Sequence, residues 1–203
     1  MGEHYFSRRP ASRTRPAEAV VEIRGQSLRL RTDAGVFSKR GVDRGTELLI
    51  EALRIGPCAL VLDLGCGYGI IGLVAAGLTE GGHAILTDVN ERAVALAKAN
   101  LSANGIANAE VRRGDLYEPV AGMAFDHIVS NPPIRAGRRV VDRIVSEAPA
   151  HLLVGGRLWL VARTQQGADA IRGRMTQAFG NAEIAKRGSG YKVIVATRED
   201  PSS

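Results

Sequence analysis

The feature that most constrains this chain is an apolar strand that runs directly into a glycine-rich loop. Val61–Leu64 is followed by Gly65–Gly69, and a second apolar stretch begins immediately afterwards. Glycines at such a junction allow a tight turn and let a ligand lie against the main chain. From Cys58 onward, short apolar runs alternate with longer stretches of helical periodicity, which is typical of βα units. We therefore predict an α/β fold with a Rossmann-like, mostly parallel sheet.

The individual elements follow from the same alternation. Apolar runs predict strands at Cys58–Leu64, His83–Thr87, Ala109–Arg112, Phe125–Ser130 and Gly156–Val161. Apolar residues at helical spacing predict helices from Val94 to Leu101, from Val140 to Leu152 and over Gln166–Phe179. Two closing segments, Ala182–Ala185 and Tyr191–Thr197, flank a glycine-rich turn, so the last strand is predicted to be antiparallel.

The segment before this core has a different character. Residues 1–18 are polar and arginine-rich, and they are either a solvated tail or an arm that binds phosphates. Ala19–Arg24 and Ser27–Arg31 predict a β-hairpin, and Glu47–Leu53 predicts a covering helix. We divide the chain into residues 1–54, packed on the core, and residues 55–203, the core itself, within one structural domain.

Charge and cysteine usage limit the function classes. The 203-residue chain has a net charge of +6 and a pI near 9.8, which favours a polyanionic partner, although surplus charge can also serve solubility. No apolar run approaches the roughly 18 residues that a membrane span needs. Neither Cys58 nor Cys66 is preceded by a recognisable signal peptide. We expect a reduced, cytoplasmic protein for which nucleic acid is a plausible partner.

Two cofactor classes fit the glycine loop. Gly67, Gly69 and Gly72 satisfy the G-x-G-x-x-G spacing of dinucleotide-binding proteins. Asp88 ends the next strand, where its carboxylate can accept hydrogen bonds from ribose in either class. Asp63 favours an amino-acid cofactor, because a carboxylate just before the glycines attracts a cationic group and repels a pyrophosphate.

Four motifs in this order resemble those of class I S-adenosylmethionine-dependent methyltransferases: Asp63–Gly69, Asp88, Gly114-Asp115 and Asn131–Ile134. The resemblance implies that Gly65, Gly67 and Gly69 line the amino-acid portion of S-adenosylmethionine. It also implies that Asp88 holds the ribose and Asp115 faces the adenine amine, whereas a helix cap or turn residue is the structural alternative for Asp115. The cofactor site predicted in this way is completed by Asp63, Cys66, Tyr68, Val89, Leu116 and Asn131.

The resemblance extends to one family within that class. His4–Ser7, Gly35–Ser38, Asp43–Thr46 and Asn131–Gly137 resemble segments of the catalytic domain of 16S ribosomal RNA guanine-N2 methyltransferases. The resemblance implies methyl transfer to the exocyclic amine of a guanine in RNA, with small-subunit ribosomal RNA as the expected partner. It requires neither a metal ion nor a nucleophilic cysteine.

The loop Asn131-Pro132-Pro133-Ile134 is the predicted catalytic segment. Two prolines remove two backbone donors and stiffen the loop, so that the Asn131 side chain and the Pro132 carbonyl can accept hydrogen bonds from an NH2 group. A rigid strand-to-helix turn is the alternative. Residues predicted to contact the RNA are Phe37, which would stack on the base, and Arg135, Arg138, Arg139 and Arg143, which would contact the backbone. Core packing is the alternative for Phe37, and a solvated helix face is the alternative for the arginines.

Other functions share part of this pattern. A protein side-chain amide or a small molecule also carries an amine that such a loop can accept. A non-catalytic RNA-binding or assembly protein with a vestigial pocket is an alternative of another class, and a dinucleotide oxidoreductase is a more distant one. We expect an RNA methyltransferase that is monomeric, binds no metal and does not enter membranes.

Overall fold

The computed structural model describes residues 17–32, 42–132 and 138–200. The strands in these ranges are β1 Ala17–Ile23, β2 Gln26–Thr32, β3 Leu60–Leu64, β4 His83–Asp88, β5 Ala109–Arg113, β6 Phe125–Ser130, β7 Leu152–Arg163, β8 Glu183–Gly188 and β9 Tyr191–Thr197. The α-helices are α1 Arg44–Ala52, α2 Ile70–Leu78, α3 Glu91–Ala103, α4 Arg138–Glu147 and α5 Ala168–Phe179. No helix in the described ranges is long and apolar enough to cross a membrane.

Seven strands form one sheet in the order β5-β4-β3-β6-β7-β9-β8. The pairs from β5 to β7 are parallel, whereas β9 is antiparallel to both β7 and β8. This confirms the predicted mostly parallel sheet with an antiparallel last strand. After β3 the chain adds β4 and β5 on one side and then returns to add β6 on the other. The direction of winding therefore reverses between β3 and β6, where open α/β sheets bind ligands at the carboxyl ends of their strands.

The core consists of two apolar layers, one on each face of the sheet. Val61 of β3 belongs to the layer that includes residues of α1, α2 and α3. Leu62 and Leu64 belong to the opposite layer, which includes residues of α4 and α5. Because successive side chains of a strand point to opposite faces, the continuous apolar run of β3 contributes to both layers. This double burial holds the end of β3, and thus the glycine loop, in a fixed place.

The predicted N-terminal hairpin is also present. β1 and β2 pair antiparallel, and Leu28 and Leu30 of β2 are buried in the layer that includes α3. The side chain of Asn100 in α3 accepts from the Arg31 backbone N–H at 2.6 Å and donates to its carbonyl at 2.9 Å. In the turn, the Arg24 guanidinium donates to the carbonyl oxygens of Ile50 and Leu53 at the end of α1. The hairpin is thereby attached to two helices of the core.

The structure corrects the boundaries of α4, β7 and β3. The predicted helix from Val140 to Leu152 ends at Glu147 as an α-helix, because Pro149 lacks the N–H that the next turn would use. Leu152 instead begins β7, well before the predicted start at Gly156. The first core strand begins at Leu60 rather than Cys58, which lies in a turn with a φ of 63°. The early start of β7 was not predicted because apolar residues there also fit a helical period.

Candidate functional site

The glycine loop turns the chain from β3 into α2 at the reversal point of the sheet. Gly65, Gly67 and Gly69 have φ values of 69°, 57° and 92°, in the left-handed region that favours glycine. The backbone N–H groups of Gly65 and Cys66 donate to the Thr87 carbonyl at 2.8 and 3.0 Å. The loop is therefore hydrogen-bonded to the end of β4, and its shape depends on main-chain atoms.

Gly72, in the first turn of α2, permits a close approach of that helix to the sheet. A Cβ atom at this position would lie 2.3 Å from Cγ of Leu86 in β4. Its N–H group donates to Oδ2 of Asp63 at 2.9 Å. The third glycine of the G-x-G-x-x-G spacing thus serves the packing of helix against strand, which both cofactor classes require.

Asp63 is almost completely buried directly before the loop. Burial raises the pKa of its carboxyl group to about 7, against the lowering effect of the Gly72 N–H, and the nearby Asp88 carboxylate raises it further. Its Oδ1 is buried and has no hydrogen-bond partner within the described ranges. This unsatisfied oxygen beside the loop fits the predicted preference for a cationic cofactor group.

Asp88, at the end of β4, is a second buried carboxylate. Oδ2 accepts from the Gly67 N–H at 3.0 Å and Oδ1 accepts from the Asn90 N–H at 2.8 Å. Burial raises the pKa of Asp88, and the backbone donors at Asn90 and Gly67 oppose that shift. A carboxylate can accept more than these two hydrogen bonds, so Asp88 can order the loop and still accept ribose hydroxyls.

The carboxyl ends of β3, β4 and β5 border one small cleft. Its lining combines predicted cofactor residues with residues from the following elements: Leu64, Gly65, Thr87, Asp88, Val89, Gly114, Asp115, Leu116, Ser130, Val140 and Ile144. Apolar walls with two carboxylates at separate points suit a nucleoside, whose hydroxyl and amine groups are donors. Val140 and Ile144 lie on the apolar face of α4, and the sequence indicated only a core role for them.

Two other predicted cofactor residues, Cys66 and Tyr68, are buried in the layer that includes α2. Burial raises the pKa of the Cys66 thiol well above its ordinary value, so the thiol stays protonated at neutral pH. The Tyr68 carbonyl accepts from the Asn100 side chain at 2.8 Å. Neither residue is among those that line the cleft, and the burial of the Cys66 side chain is that of a small packing residue.

Asn131 follows β6 on the other side of the reversal point. Its Nδ2 donates to Oγ1 of Thr46 at 2.9 Å and to Oδ2 of Asp43 at 3.3 Å. Pro132 is buried beside it. The predicted site residues Pro133, Ile134, Arg135 and Phe37 lie outside the described residues.

The arginines predicted to contact RNA fall into two groups. Arg138 and Arg139, at the start of α4, are exposed. Arg143, one turn further, instead donates to Oδ2 of Asp115 at 2.6 Å and to Glu147 at 2.8 Å. The fold thus brings Asp115 from the end of β5 next to α4, while the Arg143 side chain stays about half exposed, and its contact with RNA remains a prediction.

A groove of about 970 Å³ lies on the far side of Asn131, between the start of α1 and the ends of β7 and β9. The Tyr191 hydroxyl donates to Oδ1 of Asp43 at 3.4 Å and accepts from Nε of Arg163 at 2.9 Å. The Arg163 guanidinium also lies 5.2 Å from the centre of the Tyr191 ring. Sequence patterns did not predict this cluster, since Tyr191 was identified only as the first residue of a strand.

Comparison with known proteins gives concordant results. The profile of the family "Methyltransferase small domain" matches residues 27–195. The chain is 36% identical over 200 residues to "Uncharacterized protein YbxB" of Bacillus subtilis, with 98% of this chain and 100% of that protein covered. It is 34% identical to "Ribosomal RNA small subunit methyltransferase C" of Hamiltonella defensa, covering 85% of this chain and 51% of that protein.

A solved structure is similar as well. It is the T. thermophilus 16S rRNA N2 G1207 methyltransferase in complex with AdoMet and guanosine, with a TM-score of 0.82 and 28% identity. The alignment covers 91% of this chain and 51% of that one. The chain thus spans about half the length of the ribosomal RNA methyltransferases that it matches.

Proposed function

The chain belongs to the methyltransferase small domain family, and on that premise we propose that it methylates the exocyclic amine of a guanine in RNA. The methyl donor is S-adenosylmethionine, and small-subunit ribosomal RNA is the substrate. The observation that carries the proposal is the Asn131 carboxamide, whose NH2 group donates to Thr46 and Asp43 and whose oxygen has no hydrogen-bond partner among the described residues. Asn131 follows β6 at the reversal point of the sheet, and its neighbour Ser130 lines the cleft that contains Asp88 and Asp115.

The residues of that cleft fit S-adenosylmethionine. Asp88 would accept from the ribose hydroxyls and Asp115 from the adenine amine, while Val89 and Leu116 pack on the apolar faces of the nucleoside. Asp63 would offset the positive charge of the amino-acid portion. Bound there, S-adenosylmethionine supplies an electrophilic methyl group.

A guanine amine is a poor nucleophile because its lone pair is delocalised into the ring. The acceptor loop would make this amine more nucleophilic. Asn131 Oδ1 and the Pro132 carbonyl would each accept a hydrogen bond from one of the two amine N–H groups, which favours the pyramidal nitrogen that has a localised lone pair. Most of the rate enhancement then comes from orientation, a contribution of roughly 7–11 kcal/mol in well-aligned intramolecular reactions. A base paired in a helix must first be flipped out to reach the loop.

The choice of RNA rests on two supports. The first is the net charge of +6, with Arg138 and Arg139 exposed directly after the acceptor loop. The second is similarity: the T. thermophilus neighbour was solved with guanosine, and the Hamiltonella relative is named as a small-subunit ribosomal RNA methyltransferase. Both relatives are about twice as long, so specificity for one guanine in 16S RNA belongs to the proposal.

The test offers methyl-labelled S-adenosylmethionine with purified small ribosomal subunits, naked 16S RNA or a protein extract in separate reactions. Digested RNA is then analysed for N2-methylguanosine, and protein for methylated side chains. Label in N2-methylguanosine is the expected result. Label that appears in protein, or in a different nucleoside, would contradict the proposed substrate but leave the methyltransferase chemistry intact.

A further inference from the structure

The orientation of the Asn131 carboxamide is determined by its two hydrogen-bond partners. Nitrogen and oxygen of an amide are hard to distinguish by shape, but a carboxylate can only accept hydrogen bonds. The atom that lies 3.3 Å from Oδ2 of Asp43 must therefore be the NH2 nitrogen. Oδ1 has no hydrogen-bond partner among residues 17–32, 42–132 and 138–200. The acceptor oxygen is thus left for a ligand.

Asp43 itself is held by three further contacts. As the N-cap of α1, its Oδ2 accepts from the N–H groups of Gly45 and Thr46 at 3.0 and 3.2 Å. Its Oδ1 accepts from the Tyr191 hydroxyl at 3.4 Å. The carboxylate therefore meets Asn131 from a fixed position, at the junction of three segments that are distant in sequence.

Gly45 makes this junction possible. A Cβ atom there would lie 2.7 Å from the Tyr191 ring and 2.9 Å from Oδ2 of Asp43. Contacts below 3.0 Å force a displacement, so any larger residue would move either the ring or the carboxylate. At an ordinary helix start, a glycine in this position could be replaced. Here the contact with β9 constrains Gly45.

We propose that Asp43 and Thr46 are positioning residues that present Oδ1 of Asn131 to the substrate amine. This inference rests on the proposed role of Asn131 as the hydrogen-bond acceptor. Donation from the NH2 group to two oxygens, one of them charged, also polarises the amide and makes Oδ1 a stronger acceptor. A purely structural role is the alternative, since an N-cap and a buried hydroxyl stabilise α1 in any case.

A matched pair of substitutions separates the two roles. Thr46→Val keeps the branched shape and removes the acceptor of the 2.9 Å hydrogen bond, whereas Thr46→Ser keeps the hydroxyl. We expect Thr46→Val to lower kcat about two- to tenfold, the effect of one lost hydrogen bond, with the Kd of S-adenosylmethionine unchanged. Thr46→Ser should retain most of the turnover. Equal turnover in the two variants would overturn the inference.

A double-mutant cycle adds a measurement that a purely structural role of Thr46 would not affect. In an Asn131→Ala background the Thr46 hydroxyl has no amide to orient, so Thr46→Val should cause no further loss of residual turnover. Full additivity of the two substitutions would contradict the inference. NMR of the Asn131 side-chain amide provides a measurement without activity: its signals should shift in Thr46→Val far more than in Thr46→Ser.

Failure of the inference can be told apart from failure of the proposed function. A wild-type protein that transfers no methyl group to RNA overturns both. A wild-type protein that does so, while the two Thr46 variants behave alike, overturns the inference alone. If Thr46→Val does not fold, Asp43→Ser takes its place, because serine is a good N-cap, but its shorter side chain cannot cap α1 and also reach Asn131 as Oδ2 of Asp43 does. It should lower kcat and leave cofactor affinity intact.

Discussion

The two sides of the reversal point are built by different means. On the β4 side, main-chain donors hold the loop in place: N–H groups of the glycine loop donate to Thr87 and Asp88. On the β6 side, side chains from three distant segments meet at Asp43, Asn131 and Tyr191. A main-chain site depends on a continuous motif, whereas a side-chain site depends on the whole fold. The first should therefore govern cofactor affinity, and the second should govern turnover.

Asn131→Ala is the strongest test of this division. Loss of the acceptor oxygen should lower kcat by roughly 100- to 1000-fold, as loss of one transition-state hydrogen-bonding group typically does. The Kd of S-adenosylmethionine should stay within about twofold, because Asn131 is not among the residues that line the cleft proposed for the cofactor. Equilibrium binding and single-turnover rates measure both. Loss of cofactor binding with turnover of the bound complex preserved would reverse the assignment.

Asp88→Ala should produce the opposite pattern. The substitution removes the ribose acceptor and releases the Gly67 N–H, so cofactor Kd should rise about 10- to 100-fold, as expected when hydrogen bonds to a charged group are lost. Turnover at saturating cofactor should change far less. Asp169→Ala is the matched control, because this exposed carboxylate lies on α5 and pairs with Lys192. Similar effects of both substitutions on Kd would argue against a specific role for Asp88.

The burial of Asp63, on the cofactor side of the reversal point, predicts that the free energy of unfolding depends on pH. Its folded-state pKa is raised from 3.8 to about 7, so between these values the folded carboxyl keeps a proton that the unfolded chain releases. Stability therefore falls as pH rises through this window, by up to roughly 1.4 kcal/mol per pH unit. Asp63→Asn should remove this slope. Urea unfolding at several pH values checks it, and a slope unchanged by the substitution would contradict the buried, proton-binding role.

Arg143→Gln should have the smallest effect. The ion pairs of Arg143 with Asp115 and Glu147 are about half exposed, and such pairs contribute roughly 0–1 kcal/mol. Cofactor Kd should rise by no more than about fivefold, and the difference should shrink at roughly 1 M salt. A large loss of RNA affinity with cofactor Kd unchanged would instead support the predicted contact of Arg143 with RNA.

The same contrast explains what could be predicted from the sequence. The sheet, the glycine loop and Asp88 follow from local patterns that run in chain order. The start of β7 at Leu152 did not, because its apolar residues also fit a helical period. Thr46 was included only as part of a resemblance, and its contact with Asn131 spans 85 positions. The ion pair of Arg143 with Asp115 was not predicted for the same reason, since only the folded chain places the two residues next to each other.

The hydrogen bond between Tyr191 and Asp43 joins residues 148 positions apart. During synthesis, Asp63, Asp88 and Asp115 leave the ribosome together, whereas Tyr191 follows much later. Every residue that lines the cleft, Ile144 being the last in the chain, is made before Tyr191. The network around Asn131, in contrast, gains its Tyr191 hydroxyl only when β9 is made. The acceptor side of the site is therefore the last to be completed in the order of synthesis.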